Sequence, residues 1–284
     1  MSTLSFNAAK NVVSKDGYFM SLAKHSCSKA INYVLLRNDA KEGGGSSDVY
    51  RPHVLDNYDR AVWGFNSPAL WRIQKQEINK LFSDCVGENH CEVAVGTGLF
   101  LKDYTLDKEE TKLRNITLID MNQNTVDIAR RRIADAAKVV NRDDITCSSS
   151  YILDITNPNA VEEAKIDRCF DSVAANFLMH CLHGTGLKDP VKYNAFKNCA
   201  ALLKDDGVFF GSTILGHELL KDSDVAGPAA IYCLEEYNRF GIFGNKYDSL
   251  DDLTDILNEL FEEVQVWQSG YCGVWKAKGA RIQS

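Results

Sequence analysis

The chain has 284 residues, 45% of them hydrophobic and 25% charged, with a formal net charge of −7. Such a composition suits a folded domain with a full core and excludes disordered or fibrous chains, while the negative charge argues against a nucleic-acid phosphate backbone as the main partner. No apolar run is long enough to cross a membrane, which predicts that no membrane partner is involved.

Residues 1–47 form a mixed leader that ends in Gly43-Gly44-Gly45-Ser46-Ser47, a flexible stretch by composition. Residues 18–36 within it are apolar enough for a helix, either one that covers a cleft or a tethered surface segment. Residues 48–284 are read as one domain. It opens with a dense aromatic and acidic cluster, Asn57-Tyr58-Asp59 and Trp63-Gly64-Phe65. Next, Trp71, Ile78, Leu81, Phe82 and Cys85 share one face at helical spacing.

From residue 91 onward strands alternate with helices, the pattern of a mostly parallel, doubly wound α/β sheet covered on both faces. The predicted strands are 91–95, 116–120, 145–149, 170–176, 207–213, 263–268 and 273–277. Between the second and third, Val126, Ala129, Ile133, Ala136 and Val140 keep one apolar stripe on a helix. The run Arg130-Arg131-Arg132 on that helix reads as a solvated face. A further helix over 189–203 closes on Lys204-Asp205-Asp206-Gly207, a turn signal. Residues 215–247 interrupt the alternation with an insertion that carries a helix over 231–240.

Cysteine usage bears on the compartment. Nine cysteines, with no C-x-x-C pair, argue against a disulfide framework and a zinc knuckle. Residues 1–15 lack the basic start and apolar core of a secretory signal. Together these predict a cytoplasmic setting.

The most informative stretch is Cys91-Glu92-Val93-Ala94-Val95-Gly96-Thr97-Gly98-Leu99-Phe100, a strand that ends in a tight glycine turn. Glu92 opens this strand, and Asp120 closes the next, Ile116-Thr117-Leu118-Ile119-Asp120. A dinucleotide-binding turn needs a small residue three positions after its second glycine, where this chain has Leu101. The pattern acid-x-Ala-x-Gly-x-Gly, followed by a strand ending in Asp, resembles class I S-adenosylmethionine-dependent methyltransferases. With Phe170–Asn176 and the segment 177–182 beyond it, the similarity extends over residues 48–280 and points to a branch of small microbial enzymes.

This resemblance implies a seven-stranded Rossmann-like sheet whose last strand inserts antiparallel, with residues 215–247 roofing the substrate pocket. It implies S-adenosyl-L-methionine as cofactor and S-adenosyl-L-homocysteine as product. Gly96, Thr97 and Gly98, with Glu92 beside them, would hold the methionine portion. Ala94 replaces a glycine common in the family, at small cost because alanine is nearly as small. Asp120, with Met121 next to it, would accept the two ribose hydroxyls, since a carboxylate offers two oxygens to a vicinal diol. Its competing role is a helix N-cap, for which Asn122 and Asn124 are also available. Asp154 and Ile155 would border the adenine, with a helix cap as the alternative for Asp154. Asn176 and Phe177 end the fourth strand beside the sulfonium. Tyr58 is a candidate for the cofactor carboxylate or for a face toward the positive sulfur. For Trp63 and Trp71 core packing is the better reading.

A general base is needed only when the methyl acceptor arrives protonated. His180, just beyond the fourth strand, is the candidate base, with a packed core histidine as its rival role. His183, Tyr232, Glu236 and Tyr237 are candidates for substrate binding. His180, Cys181 and His183 lack a clear fourth ligand, so no metal is predicted. The Asn/Asp-Pro-Pro-aromatic sequence of enzymes that methylate nucleic-acid bases is missing from Asn176-Phe177-Leu178-Met179. Clustered acids of the metal-dependent catechol type are missing too, and a small organic acceptor results. Whether oxygen, nitrogen, sulfur or carbon is methylated stays open, as does the oligomeric state. The rival functions are an NAD(P)-dependent oxidoreductase, a non-catalytic partner subunit of the same fold, and methylation of a protein side chain.

Overall fold

The apolar runs and period-two stretches become seven strands of one sheet, in the order β3-β2-β1-β4-β5-β7-β6. A computed structural model describes residues 59–60, 62–107, 111–217, 219 and 227–281, together with Ser21, Lys24 and His25. Nearly all of the leader 1–47, and Tyr58, therefore lie outside the described residues. The strands are β1 (Asn89–Val93), β2 (Asn115–Asp120), β3 (Thr146–Ile152), β4 (Phe170–Asn176), β5 (Leu203–Ile214), β6 (Phe261–Ser269) and β7 (Cys272–Ala280). β1 pairs parallel with β2 and β4, and β7 runs antiparallel to both β5 and β6. The chain order reverses at β1, where β2 lies on one side and β4 on the other, and such switch points place ligand crevices at the carboxyl ends of strands.

Alternation along the strands feeds two cores. On β2, Ile116 and Leu118 join one hydrophobic cluster and Ile119 joins the other. Phe210 and Phe209 of β5 divide in the same way, as successive side chains on a strand must. The first cluster is filled by α1 (Lys75–Cys85), α2 (Leu99–Asp107) and α3 (Gln123–Val139), through residues such as Ile78, Phe82, Phe100 and Ile133. The second is filled by α5 (Pro190–Ala201) and α7 (Leu250–Leu260), through Phe196 and Leu257 packed against Trp275. α4 (Ala160–Glu163) is a single turn, and α6 (Gly227–Arg239), thirteen residues long, lies in the insertion.

Three local expectations are corrected. Trp71 does not share a helix with Ile78: it ends a π-helix (Val62–Trp71), and α1 starts only at Lys75. Arg72 turns the backbone to φ 56°, and the Trp71 carbonyl accepts a hydrogen bond from Tyr271 N–H of the β6–β7 hairpin (2.8 Å). The Lys204–Gly207 turn signal lies inside β5 as an irregularity: Phe170 pairs with Leu203 and Ser172 with Val208, so the chain between must bulge. The third strand runs to Ile152, three residues beyond its expected end.

Candidate active site

Parallel pairing brings the ends of β1 and β2 side by side, with Glu92 opposite Leu118 and Val93 opposite Ile119. The chain leaves β1 through Ala94, whose N–H donates to the Ile119 carbonyl (2.8 Å) and whose φ is 57°. This corrects the size argument. The departure from glycine is felt in the backbone, because left-handed geometry pushes Cβ toward the carbonyl oxygen, at about 1–2 kcal/mol. Gly98 (φ 67°) is required for a different reason: a Cβ there would lie 2.9 Å from Cα and Cβ of Ala129. α3 thus packs directly onto the turn.

Thr97, between the glycines, is held from two sides. Its hydroxyl donates to Asp59 Oδ1 (2.5 Å), and its carbonyl accepts from Arg132 Nη1 (2.9 Å). Arg132 Nη2 reaches Asp59 Oδ2 at 2.6 Å, which closes the triangle. Arg132 is therefore not part of a solvated face, although Arg130 and Arg131 are exposed. Its position one turn beyond Ala129 on α3 carries it over the glycine turn.

Asp120 ends β2 with one carboxylate oxygen accepting from Asn122 N–H (2.9 Å). The cap of α3 is Asn122, whose side chain accepts from Asn124 N–H (2.8 Å). The capping role is thus filled by another residue. Burial pushes the Asp120 carboxyl up from the ordinary carboxylate value, opposed by hydrogen bonds from Asn122 N–H and the Thr125 hydroxyl. Burial likewise raises Glu92, opposed by its hydrogen bond with His90.

A single cavity opens over these groups. Glu92, Gly96, Thr97, Asp120 and Met121 line one part of it, and Asp154, Ile155, Asn176 and Phe177 another. Asp154 is exposed, and its Oδ1 accepts from both the N–H (2.9 Å) and the hydroxyl (2.7 Å) of Thr156, a local turn. Asn176 is buried; its Oδ1 accepts from Ser212 Oγ (3.0 Å), while its Nδ2 has no partner. A buried amide donor left open at a cavity wall suits a polar ligand. Phe177 has φ 55°, which puts a second strained non-glycine residue on the rim. Trp63 packs against the core and is also a wall of the cavity, meeting Phe100 and Phe177 edge-on at 4.7 and 4.8 Å. Trp71, in contrast, is 3% exposed in the core.

The remaining candidates do not line this cavity. His180 sits in a single 3₁₀ turn (Met179–Cys181), buried, with its ring edge-on to Phe243 at 4.5 Å. Its Nδ1 has no hydrogen-bond partner, and burial pushes the imidazole down to about 3. His183 is exposed. On α6, Tyr237 packs against Phe243 at 4.8 Å, Glu236 pairs with Arg239 at 3.2 Å, and Tyr232 lies under Lys24 Nζ at 5.8 Å. Asp59, Trp63 and Arg132 are the site residues that sequence reasoning missed. Their only signal was the aromatic-acidic cluster at 57–65 and the spacing of Arg132 from Ala129.

The glycine turn lies between the buried carboxylate of Glu92 and the half-buried one of Asp120, and the open amide of Asn176 lines the same cavity. No protein-family model matches the chain. It is 32% identical over 228 residues to a demethylluteothin O-methyltransferase of Streptomyces thioluteus, covering 80% of this chain and 88% of that protein. It is also 32% identical over 237 residues to a physcion biosynthesis cluster O-methyltransferase of Aspergillus chevalieri, covering 82% and 95%. Among solved structures, the CurJ carbon methyltransferase shares the fold, with a TM-score of 0.59 at 12% identity over 94% of this chain and 70% of that one. The chain belongs to the S-adenosylmethionine-dependent methyltransferases. Its cofactor is S-adenosylmethionine. Among the described residues, no helix is long and apolar enough to cross a membrane.

Proposed function

We propose that this enzyme methylates an oxygen atom of a small organic metabolite of specialised metabolism, in the cytoplasm. The observation that carries the reading is the pair of carboxylates, buried Glu92 and half-buried Asp120, flanking the turn at Gly96 and Gly98 and facing one cavity with the open amide of Asn176. The relatives' names, a demethylluteothin O-methyltransferase and a physcion biosynthesis cluster O-methyltransferase, support oxygen as the atom and a small metabolite as the substrate.

When bound, S-adenosylmethionine supplies an electrophilic methyl group on a sulfonium. The protein's contribution is alignment and exclusion of water. In this reading Asp120 accepts the ribose hydroxyls, with Met121 alongside, and Asp154 and Ile155 border the adenine. Glu92, an acceptor-only carboxylate, takes the ammonium of the amino-acid end, while Gly96, Thr97 and Gly98 give that end close access to backbone groups. Asn176 and Phe177 face the reacting centre.

His180 is the proton acceptor of the reading. A ring held down to about 3 is neutral at physiological pH, and its Nδ1 has no partner in the fold. The burial that weakens the ring as a base has to be relieved as the acceptor binds, and the hydroxyl proton then goes to that nitrogen as the oxygen takes the methyl group. Phe177, a wall of the cavity whose ring meets that of His180 edge-on at 5.9 Å, has to move for an acceptor to reach it. His183, Tyr232, Glu236 and Tyr237 then border the acceptor, with α6 of the insertion as the roof.

Calorimetric titration tests the reading. S-adenosylhomocysteine should bind while NAD and NADP do not, and Asp120→Ala should weaken that binding roughly tenfold or more, the value of hydrogen bonds to a charged group. Unchanged affinity in the folded variant would remove Asp120 from the ribose role. Binding of a dinucleotide alone would reassign the glycine turn.

A further inference from the structure

Behind Glu92, on the side away from the cavity, lies a buried polar chain that the reaction does not use. His90 precedes Glu92 by two residues on β1, so both side chains leave the same face of the sheet. His90 is fully buried, stacked near Phe210 at 5.9 Å and tilted against Phe82 at 6.1 Å. Its Nε2 is 3.0 Å from Glu92 Oε2 and its Nδ1 is 2.8 Å from Ser172 Oγ. Ser172, also fully buried, is the register partner of His90 on β4. The Ser172 oxygen accepts from Gly87 N–H at 2.9 Å.

The donors and acceptors fix a direction along this chain. Glu92 is a carboxylate and only accepts, so the ring proton belongs on Nε2. That leaves Nδ1 as an acceptor, which the Ser172 hydroxyl proton satisfies while its oxygen takes the Gly87 N–H. Every polar atom of His90 and Ser172 is then used, as burial in an apolar setting demands. The order Ser–His–Glu has the spacing of a hydrolytic triad, but Ser172 has no exposed surface and cannot meet a substrate.

We propose that His90 is a positioning residue for cofactor binding: its Nε2–H, oriented by Ser172 and Gly87, holds Glu92 ionised and aimed at the ammonium of the cofactor's amino-acid end. The proposal rests on the reading of Glu92 given above. It explains why a carboxylate can stand in a position where burial opposes its charge. A hydrogen bond donated to the ionised form favours that form.

Two probes separate this role from simple packing. S-adenosylhomocysteine carries the amino-acid end; methylthioadenosine shares its nucleoside and thioether and lacks that end. Both are titrated calorimetrically into the wild type and into Glu92→Gln, His90→Gln and His90→Asn. The amide of Gln reaches the place of Nε2 and that of Asn the place of Nδ1, so only the former keeps a donor toward Glu92. Glu92→Gln and His90→Asn should weaken S-adenosylhomocysteine roughly tenfold and leave methylthioadenosine unchanged, while His90→Gln stays within about threefold of wild type for both.

If Glu92→Gln weakens S-adenosylhomocysteine and His90→Asn does not, the positioning role is overturned and the Glu92 reading stands. If Glu92→Gln has no effect, the Glu92 reading itself fails. Equal weakening of both ligands in the two His90 variants would make His90 a packing residue and overturn the proposal. Should His90→Asn fail to fold, Ser172→Ala carries the test: it frees the ring to turn, and should weaken S-adenosylhomocysteine alone. Wild-type affinity for both ligands in Ser172→Ala would then overturn the proposal.

Discussion

Arg132 on α3 lies with its Nη2 2.6 Å from Oδ2 of Asp59, a residue 73 positions earlier in the chain. The pair is about three-quarters shielded, and Arg132 spends a second nitrogen on the Thr97 carbonyl. Asp59 takes the Thr97 hydroxyl as well, so the turn residue is clamped between a helix and the segment that precedes the sheet. Arg132→Ala should weaken S-adenosylhomocysteine about fivefold, the loss of about 1 kcal/mol of turn ordering, with little change in global stability. Calorimetric titration next to a urea melt checks this. An equal loss of stability and affinity would show that the clamp serves the fold as a whole.

Ala94 offers a test of strain. Its φ of 57° is a conformation glycine adopts freely. Ala94→Gly should raise stability by about 1 kcal/mol at most, the steric relief less the added freedom of the unfolded chain. Cofactor affinity should be preserved, because the Ala94 N–H keeps its bond to Ile119. Chemical denaturation of the two proteins measures the difference, and a less stable glycine variant would show that the Ala94 methyl contributes packing that outweighs the strain.

His180 predicts an acid limb in the stability profile. The ring titrates near 6.5 when unfolded and is held down to about 3 in the fold, so the unfolded chain binds the extra proton between these values. The contribution is complete above pH 6.5 and is lost at about 1.4 kcal/mol per pH unit as pH falls toward 3. His180→Leu should remove this slope, seen as the difference between wild-type and variant urea midpoints at about pH 7, 5.5 and 4.5. Parallel profiles would show that the ring is accessible to protons in the fold.

The Lys192–Asp248 pair predicts a different failure. Both side chains are fully buried, Nζ lies 2.7 Å from each carboxylate oxygen, and the third donor goes to the Gly244 carbonyl at 2.9 Å. Burial pushes Asp248 up to about 6 and Lys192 down, so each charge depends on the other. Lys192→Met strands a buried carboxylate and should cost about 3–5 kcal/mol. The double variant with Asp248→Leu should recover much of it. A denaturant series on the four proteins measures the coupling, and an undamaged single variant would mean that water reaches Asp248.

The central strands β4 and β5 were legible as apolar runs because both their faces are buried, and the edge strands β3 and β6, mostly half-buried or exposed, were legible only through spacing; all seven predicted strands overlap observed ones. Asp120 was legible because the end of a strand, two residues before an Asn cap, has one position for an acid. Trp63 and Arg132 were not. A tryptophan near a helix reads as core by its size, and an arginine in a basic run reads as solvated. Only the fold reveals that one faces a cavity and the other a carboxylate from a distant segment. His90 escaped notice for the same reason: its partners are Glu92 on its own strand and Ser172, 82 residues away.

What the sequence by itself determined is local and periodic: which runs become strands, where the glycine turn falls, and that Asp120 ends β2 (Glu92, expected to open its strand, is instead the fourth of the five residues of β1). These follow from backbone sterics and side-chain alternation over a few residues, and they suffice to identify the cofactor class. The tertiary structure alone decided what meets across the chain. It brings Asp59 and Arg132 together over Thr97, seats His180 beneath Phe243, and closes Lys192 on Asp248. Such contacts depend on desolvation and on distances between segments, which no spacing within one segment encodes.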